Sequence, residues 1–250
     1  AEIDEFLPSY LNHKACLLYP FGENEVFESQ LLAWTAKLKS AVKLGYSAPS
    51  TRQNASEILS EFRLIKSDSE LAIMRLANEI SGSAHKRAMD KAEELDFEYQ
   101  IEAELLHEFA RHGARHAAYN SIVASGDNAN ILHYNDNCEP LNDGDLLLID
   151  AGCELAGYAA DITRTFPING KFTAEQKAIY ELVLKSQLAA IEAIKPGANF
   201  AQLYDIVGEV LTTGLFELGI LKGELLELIA ENACKKYFIH GLGHWLGLDV

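Results

Sequence analysis

One segment with two carboxylates inside predicted β-structure constrains the fold more than any other feature of this chain. It runs from Asp145 to Pro167, with the sequence DLLLIDAGCELAGYAADITRTFP. The apolar run over residues 146–149 indicates a strand that is covered on both faces, and the alternation over residues 158–166 predicts its neighbour. An Ala-Gly pair between these two runs is typical of a tight turn. The segment therefore predicts a buried β-hairpin.

The register of this hairpin would bring Asp150 and Asp161 together. If the turn is tight, Asp150 lies opposite Thr163, and Asp161 is its diagonal neighbour on the same face of the sheet. Two ionised carboxylates in a low-dielectric sheet are costly, because both lose hydration and because they repel each other. We therefore expect that one of them is protonated or that a cation lies between them.

Two interpretations of the aspartate pair remain open at this point. A divalent metal ion would satisfy both carboxylates. Oxygen ligands favour Mn²⁺ or Mg²⁺, and an added histidine would also admit Zn²⁺, Co²⁺ or Fe²⁺. In the alternative, Arg164 neutralises one aspartate while the other caps backbone amides, because structural ion pairs also perturb carboxylates.

The overall charge argues against two classes of partner. The chain has 250 residues, with 37 acidic against 21 basic side chains and a formal charge of −16. No block rich in lysine and arginine interrupts this acidic excess. Nucleic acid and anionic membranes are therefore poor candidate partners, and we expect neither.

The cysteines and the apolar runs predict a cytoplasmic location. Cys16, Cys138, Cys153 and Cys234 are widely spaced and form no C-x-x-C pair. A chain of this size does not need disulfides to stabilise its core, so a reducing compartment is expected. No apolar run approaches the roughly 20 residues of a membrane span. The first ten residues, AEIDEFLPSY, lack the basic start and apolar core of a signal peptide.

Helical periodicity divides the chain near Lys66. A long helix is predicted to open at Ser67, where the Ser67-x-x-Glu70 spacing fits a capping box. Apolar spacing and capping signals predict further helices over residues 24–44, 57–62, 98–112, 173–194 and 200–219. Short strands are expected at residues 121–124 and 131–134. We therefore expect two domains, residues 1–66 and residues 67–250.

Three histidines are candidates for chemistry, although each also has a purely structural interpretation. His240 and His244 flank Gly-Leu-Gly, a spacing that places both imidazoles on one face of a helix or a strand. The glycines would allow close approach of a ligand, but they also suit a tightly packed bend. His133 lies in Ile-Leu-His-Tyr and by default would be a hydrogen-bonded core side chain.

Other catalytic motifs fail on spacing. The histidines of His107 to His112 are five residues apart, so they diverge around a helix and do not form a zinc-protease pair. The glycines that begin at Gly241 do not match the dinucleotide fingerprint. The chain also lacks a G-x-S-x-G elbow and a phosphate-binding loop of the G-x-x-x-x-G-K-[ST] type.

Taken in order, three long motifs resemble one known family. YNSIVASGDNANILHY, LLLIDAGCELAGYAADITRTFP and HGLGHWLGLDV are similar to segments of the pita-bread metallopeptidases and, within them, of the Xaa-Pro aminopeptidases. The resemblance covers residues from about 67 to 250. It implies an α+β pita-bread (creatinase/aminopeptidase) fold. Residues 1–66 resemble the closing part of the N-terminal α/β domain of the Xaa-Pro enzymes.

The resemblance implies a role for each candidate residue. Asp150, Asp161 and His244 match metal ligands. His240 matches a histidine that contacts substrate and supports the transition state, and His133 matches another histidine of the substrate pocket. The family uses two divalent metal ions, usually assayed as Mn²⁺, and a bridging water or hydroxide that attacks the peptide carbonyl. The implied substrates are peptides with an N-terminal residue followed by proline, and the implied assembly is a homodimer or a homotetramer.

The chain also departs from the family pattern. The family has two further ligands, both glutamates, downstream of the HGLGH segment, and another active-site histidine directly after a GLDV-like sequence. Here the sequence stops at Val250. We therefore expect a fragment that is truncated at both ends and carries three of the five family ligands. Such a fragment need not bind metal tightly or turn over by itself.

Several alternatives remain open from the sequence. A prolidase shares the fold and the motifs but requires Xaa-Pro dipeptides. A methionine aminopeptidase fits less well, because it usually lacks an N-terminal domain of this type. A non-catalytic pita-bread module that binds peptides or proteins is a different class, although such modules tend to lose the metal ligands that are intact here. A purely structural fragment is the remaining alternative.

Overall fold

The computed structural model describes residues 3–250, and the chain divides into two compact units. The first unit ends at Ser67 and the second runs from Asp68 to Val250. Within residues 3–250, no helix is both long enough and apolar enough to cross a membrane.

Residues 3–67 of the first unit form three α-helices and a pair of parallel strands. Its elements are α1 (Ile3–Leu11), β1 (Cys16–Tyr19), α2 (Glu25–Ser40), β2 (Thr51–Asn54) and α3 (Ala55–Leu64). The predicted helix over residues 24–44 is confirmed as α2 followed by a 3-10 turn over Val42–Leu44. The Asn24 side chain caps α2 by accepting a hydrogen bond from the backbone N–H of Phe27 at 2.9 Å. The core of the unit consists of Leu11, Leu31, Trp34 and Leu38.

The second unit carries all the candidate site residues. Its elements are α4 (Asp68–Lys91), α5 (Glu98–Arg111), β3 (His116–Ala117), β4 (Ile122–Ser125), β5 (Leu146–Ala151), β6 (Cys153–Leu155), β7 (Tyr158–Ala159), β8 (Ile162–Pro167), α6 (Ala174–Ala193), α7 (Phe200–Glu217) and α8 (Leu225–Ala230). The helices predicted over residues 98–112, 173–194 and 200–219 correspond to α5, α6 and α7 to within two residues at each end. A capping box formed by Thr173 and Gln176 opens α6.

The strands of the second unit form two antiparallel sheets. One sheet has the order β4-β5-β8 and the other has the order β3-β6-β7. The predicted hairpin register is confirmed, because Asp150 pairs with Thr163 and Leu155 pairs with Tyr158. Helix α4 packs against both sheets, and its apolar face joins α5 and β5 in the main core.

The hairpin is broken into two parts at Gly152. A Cβ atom placed on Gly152 would lie 1.7 Å from the carbonyl oxygen of Ala160. Only glycine allows the two chain segments to come this close. The break lets one long hairpin contribute β5 and β8 to the first sheet and β6 and β7 to the second.

The strand predicted at residues 131–134 is wrong. A 3-10 turn over Gly126–Asn130 precedes this segment, and His133 has a left-handed backbone with φ 57°. A left-handed residue interrupts the extended conformation that a strand requires. Nearby, the Asn137 side chain accepts a hydrogen bond from the backbone N–H of Val123 at 2.9 Å. A side chain, and not a neighbouring strand, thus pairs with this N–H group of β4.

Candidate functional site

The two aspartates of the hairpin converge on one hydroxyl group. Asp150 lies near the end of β5, and Asp161 directly precedes β8. The Oη atom of Tyr119 is 2.6 Å from Asp150 Oδ1 and 2.9 Å from Asp161 Oδ1. A phenol has a single proton to donate, so it can satisfy only one of the two carboxylates at a time. At any moment the other carboxylate receives no hydrogen bond from Tyr119.

The electrostatics of this pair disfavour two negative charges. Burial raises the pKa of Asp150 above its usual value, and the charge of Asp161 raises it further. Hydrogen bonds from Tyr119 and Thr163 oppose this rise without cancelling it. Burial and both carboxylates also raise the pKa of Tyr119, so the phenol stays protonated. A cation at this position would offset both the burial and the repulsion that raise the pKa of Asp150.

His244 joins the pair through Asp161. Its Nε2 atom lies 3.2 Å from Asp161 Oδ2. Its Nδ1 atom lies 2.8 Å from the carbonyl oxygen of Trp245, which can only accept a hydrogen bond, so Nδ1 carries the proton. In the neutral ring the lone pair is then on Nε2, the atom that faces Asp161. This tautomer is the one that a metal-binding histidine uses when its other nitrogen donates to a backbone carbonyl.

Asp161 is the centre of the cluster because its two oxygens serve different neighbours. Oδ1 contacts the Tyr119 hydroxyl that is shared with Asp150, and Oδ2 contacts His244. Within residues 3–250, however, no three His, Cys, Asp or Glu side chains converge closely enough to hold a metal ion. The donor types fit a divalent ion, since carboxylate oxygens and an imidazole nitrogen are its usual protein ligands. The described residues thus bring these donor atoms together in two adjoining pairs, Asp150 with Asp161 and Asp161 with His244.

The two histidines expected to contact substrate lie next to each other. The ring centroids of His133 and His240 are 6.2 Å apart, and the rings meet edge to face. The Nδ1 atom of His240 is 2.9 Å from the carbonyl oxygen of Gly241, which again places a proton on Nδ1. Both rings are exposed. They therefore present imidazole edges to solvent from two segments that are far apart in sequence.

The segment with the two glycines is held by Tyr204. The backbone N–H of Leu242 donates a hydrogen bond to the hydroxyl oxygen of Tyr204, on α7, at 2.7 Å. A Cβ atom on Gly241 would lie 3.4 Å from the same hydroxyl, so the segment runs close to the ring. A cavity of about 660 Å³ lies beside it, lined in part by Tyr204, Phe238 and His240 but by neither aspartate. The glycines of this motif thus accommodate a packed contact at Tyr204 as well as a pair of histidines.

Sequence reasoning missed Tyr119. Its only signal is its position at the start of YNSIVASGDNANILHY. It reaches the aspartates because the N–H of the preceding residue, Ala118, donates to the carbonyl oxygen of Gly152 at 2.9 Å. This pairing joins the end of β3 to the break in the hairpin. Local patterns do not reveal such a long-range pairing, so Tyr119 could be found only from the folded chain.

The chain matches a metallopeptidase family and is similar to known Xaa-Pro aminopeptidases. The model of metallopeptidase family M24 matches residues 72–250. The chain is 46% identical over 250 residues to the Xaa-Pro aminopeptidase of Escherichia coli (strain K12), covering all of this chain and 57% of that protein. It is 57% identical over 193 residues to the Xaa-Pro aminopeptidase of Haemophilus influenzae, covering 77% of this chain and 45% of that protein.

Solved structures agree with these sequence matches. The chain superposes on zinc-substituted Escherichia coli aminopeptidase P in complex with product with a TM-score of 0.96 and 46% identity. It superposes on proline aminopeptidase P II from Yersinia pestis with a TM-score of 0.94 and 47% identity. Each match covers 100% of this chain and 57% of the other. The chain therefore spans about half the length of the relatives that it matches.

Proposed function

This chain belongs to metallopeptidase family M24 and has its α+β pita-bread fold, and from that premise we propose the activity of the complete protein. The complete protein is a metal-dependent Xaa-Pro aminopeptidase, which hydrolyses the bond between an N-terminal residue and a penultimate proline. The substrates are peptides that begin with Xaa-Pro. The named relatives with this activity support the proposal.

The observation that carries the proposal is the cluster centred on Asp161. We assign Asp150, Asp161 and His244 as the residues that hold divalent metal, with Mn²⁺ as the preferred ion and two ions in the complete site. The raised pKa of Asp150 supports this assignment, because a buried carboxylate pair without a cation is electrostatically unfavourable. The chemistry that divalent ions supply at such a site is activation of water and polarisation of the scissile carbonyl.

His133 and His240 bind and orient the peptide in this proposal. With its proton on Nδ1, neutral His240 offers a hydrogen-bond acceptor at Nε2, and the protonated ring offers a donor there. The same ring can therefore accept from a substrate N–H in one state and donate to a developing oxyanion in the other. The edge-to-face contact with His133 places a second imidazole beside that of His240.

The preference for proline follows from backbone chemistry. Proline has no amide N–H, so a peptidase that recognises this donor in other substrates cannot use it here. A dedicated pocket must bind the ring instead. The activity of the Xaa-Pro aminopeptidases that resemble this chain supports this specificity.

A single ligand substitution in the complete protein tests the proposal. We expect Asp161→Asn to abolish Mn²⁺-dependent release of the N-terminal residue from an Xaa-Pro peptide while the circular dichroism spectrum remains that of the wild type. The matched control is Asp90→Asn, which changes an exposed aspartate on α4 and should leave the rate unchanged. Retained turnover in Asp161→Asn would refute the assignment.

Two alternative functions give different outcomes in the same assays. A prolidase would cleave an Xaa-Pro dipeptide faster than a longer Xaa-Pro peptide, so the two rates should be compared. A non-catalytic binding module would bind peptide without Mn²⁺ and without turnover. Release of methionine with no requirement for proline would instead indicate a methionine aminopeptidase.

We also propose a cytoplasmic location and a homodimeric or homotetrameric assembly. All four cysteines, Cys16, Cys138, Cys153 and Cys234, are free thiols, which supports a reducing compartment. The assembly rests on the family resemblance alone. That residues 1–66 close a larger N-terminal domain stays a prediction.

A further inference from the structure

A fully buried carboxylate lies outside the cluster centred on Asp161, at Glu98, the first residue of α5. The Glu98 side chain has 0% of its surface exposed and accepts hydrogen bonds from five donors. Its Oε1 atom faces the backbone N–H of Ser125 at 2.7 Å, the Ser125 hydroxyl at 2.9 Å and the Asn128 amide at 3.0 Å. Its Oε2 atom faces the Tyr134 hydroxyl at 2.6 Å and the backbone N–H of Glu139 at 3.0 Å.

This environment requires a carboxylate at Glu98. Burial alone would raise the pKa of Glu98, but hydrogen bonds from Tyr134, Ser125, Asn128 and Glu139 outweigh it, and the net pKa is lowered. The N-terminus of α5 adds a favourable dipole for negative charge. A glutamine would have a single acceptor oxygen and would place an NH₂ group against other donors. The charged form is therefore the one that matches its surroundings.

The partners of Glu98 lie in the segment that carries His133 or directly before it. Ser125 precedes this segment, residues 126–140, while the other three partners lie within it. The backbone adds to the attachment, because Glu98 N–H donates to the carbonyl oxygen of Glu139 at 3.1 Å and Phe97 pairs with Pro140. Glu98 thus connects both ends and the middle of the segment to α5.

Among the partners of Glu98, Tyr134 is the one that directly follows His133 in the sequence. Tyr134 is 7% exposed, whereas the neighbouring His133 ring is exposed and meets His240. His133 has a left-handed backbone, so its direction depends on how the adjacent residues are held. Fixing the Tyr134 side chain at Glu98 Oε2 fixes the backbone from which the His133 ring projects.

We propose that Glu98 is a positioning residue for His133. It holds the His133 ring beside His240 through the Tyr134 hydroxyl and does not itself touch substrate. The kinetic consequence rests on the proposed function, whereas the position of the His133 ring does not.

The test compares two hydroxyl deletions in the complete protein, Tyr134→Phe and Ser125→Ala. Each removes one hydroxyl donor from Glu98, but only Tyr134 adjoins His133. Small displacements of a positioned group can reduce rates by up to about 100-fold. We therefore expect Tyr134→Phe to lower kcat/KM for an Xaa-Pro peptide by roughly 10- to 100-fold. Ser125→Ala should lower it much less, because Ser125 does not adjoin His133 and its backbone N–H still donates to Glu98.

A double mutant separates positioning from general destabilisation. If Tyr134 acts only through His133, Tyr134→Phe should cause no further loss of kcat/KM in a His133→Ala background. A purely structural role would give multiplicative losses, and that result would overturn the proposal. Equal kinetic losses in Tyr134→Phe and Ser125→Ala would overturn it as well.

A spectroscopic measurement decides the case without activity. The ring signals of His133 are assigned in the NMR spectrum by their absence in His133→Ala. Tyr134→Phe should shift them and Ser125→Ala should leave them in place. Glu98→Gln is a second variant from which the same shift is expected, should Tyr134→Phe fail to fold. If the wild-type protein cleaves no Xaa-Pro peptide, the proposed function fails. The positioning role is disproved by a different result, namely His133 signals that stay unchanged in Tyr134→Phe and Glu98→Gln.

Discussion

Gly152→Ala is the substitution for which the structure makes the sharpest prediction. A Cβ atom at this position would lie 1.7 Å from the carbonyl oxygen and 2.3 Å from the carbonyl carbon of Ala160. Both segments are held in place by backbone hydrogen bonds, from Ala160 N–H to the carbonyl oxygen of Cys153 at 2.9 Å and from Ala118 N–H to that of Gly152 at 2.9 Å. Relief of the clash needs a backbone displacement of more than about 1 Å, because close-packed interiors leave no free space.

The expected loss of stability is large because the added Cβ meets backbone atoms of Ala160 and not a flexible side chain. Overpacking a core typically costs about 1–3 kcal/mol, and a hydrogen-bonded backbone yields less readily than a side chain. We expect a loss of about 3 kcal/mol in the free energy of unfolding. At about 2–4 °C per kcal/mol for a domain of this size, Tm should fall by roughly 6–12 °C. Because Asp161 directly follows Ala160, the displacement should also separate Asp161 from Asp150 and weaken Mn²⁺ binding.

Thermal unfolding of the complete protein in EDTA and in Mn²⁺ measures both effects. The matched control is Gly82→Ala on α4, where an added Cβ meets nothing within 4 Å. In a helix interior this control should stabilise the protein by about 0.5–1 kcal/mol. If Gly152→Ala melted like the wild type and kept its Mn²⁺ response, the argument from close approach at Gly152 would be refuted.

Three further predictions concern charge and metal. In EDTA, Asp150→Asn should raise Tm at neutral pH, and the gain should shrink as pH falls, because the raised pKa of Asp150 means that the wild type loses stability as pH rises through it. At pH 7, Glu98→Gln should cost about 3 kcal/mol of unfolding free energy. This difference should diminish below about pH 4 in denaturation curves, since a lowered pKa gives stability that is lost as pH falls. Mn²⁺ at 100 times its Kd should stabilise the wild type by about 2.7 kcal/mol and Asp161→Asn hardly at all, as measured by calorimetry.

The hairpin register could be predicted from the sequence because its determinants are local. Alternation along β8 and a two-residue turn at Ala156 and Gly157 leave one register in which the apolar side chains face the core. Both turn residues have positive φ, 52° and 85°, as a tight hairpin turn of this kind requires. The convergence of Asp150 and Asp161 then follows from counting residues back from the turn.

The supporting residues could not be predicted, because each acts across a long stretch of chain. Tyr119 lies 31 residues from Asp150, and Glu98 lies 36 residues from Tyr134. In an acidic sequence, Glu98 looks like any glutamate at a helix start, where negative charge is favourable. The wrong strand at residues 131–134 has a related origin. A short apolar run predicts a buried strand, but here Ile131 and Leu132 are exposed and only Tyr134 is buried, where its hydroxyl meets Glu98.

The forces that hold the aspartate pair together are independent of the charges themselves. The core-facing residues of β5 and β8 set the register, and Gly152 sets the close approach that places Asp161. The chain therefore brings the two carboxylates together even though burial and repulsion raise the pKa of Asp150. A cation that binds between the two carboxylates would relieve this unfavourable interaction, and that relief would add to the free energy of binding. Since protons and metal compete for Asp150, Mn²⁺ affinity should rise with pH until that carboxylate is fully ionised.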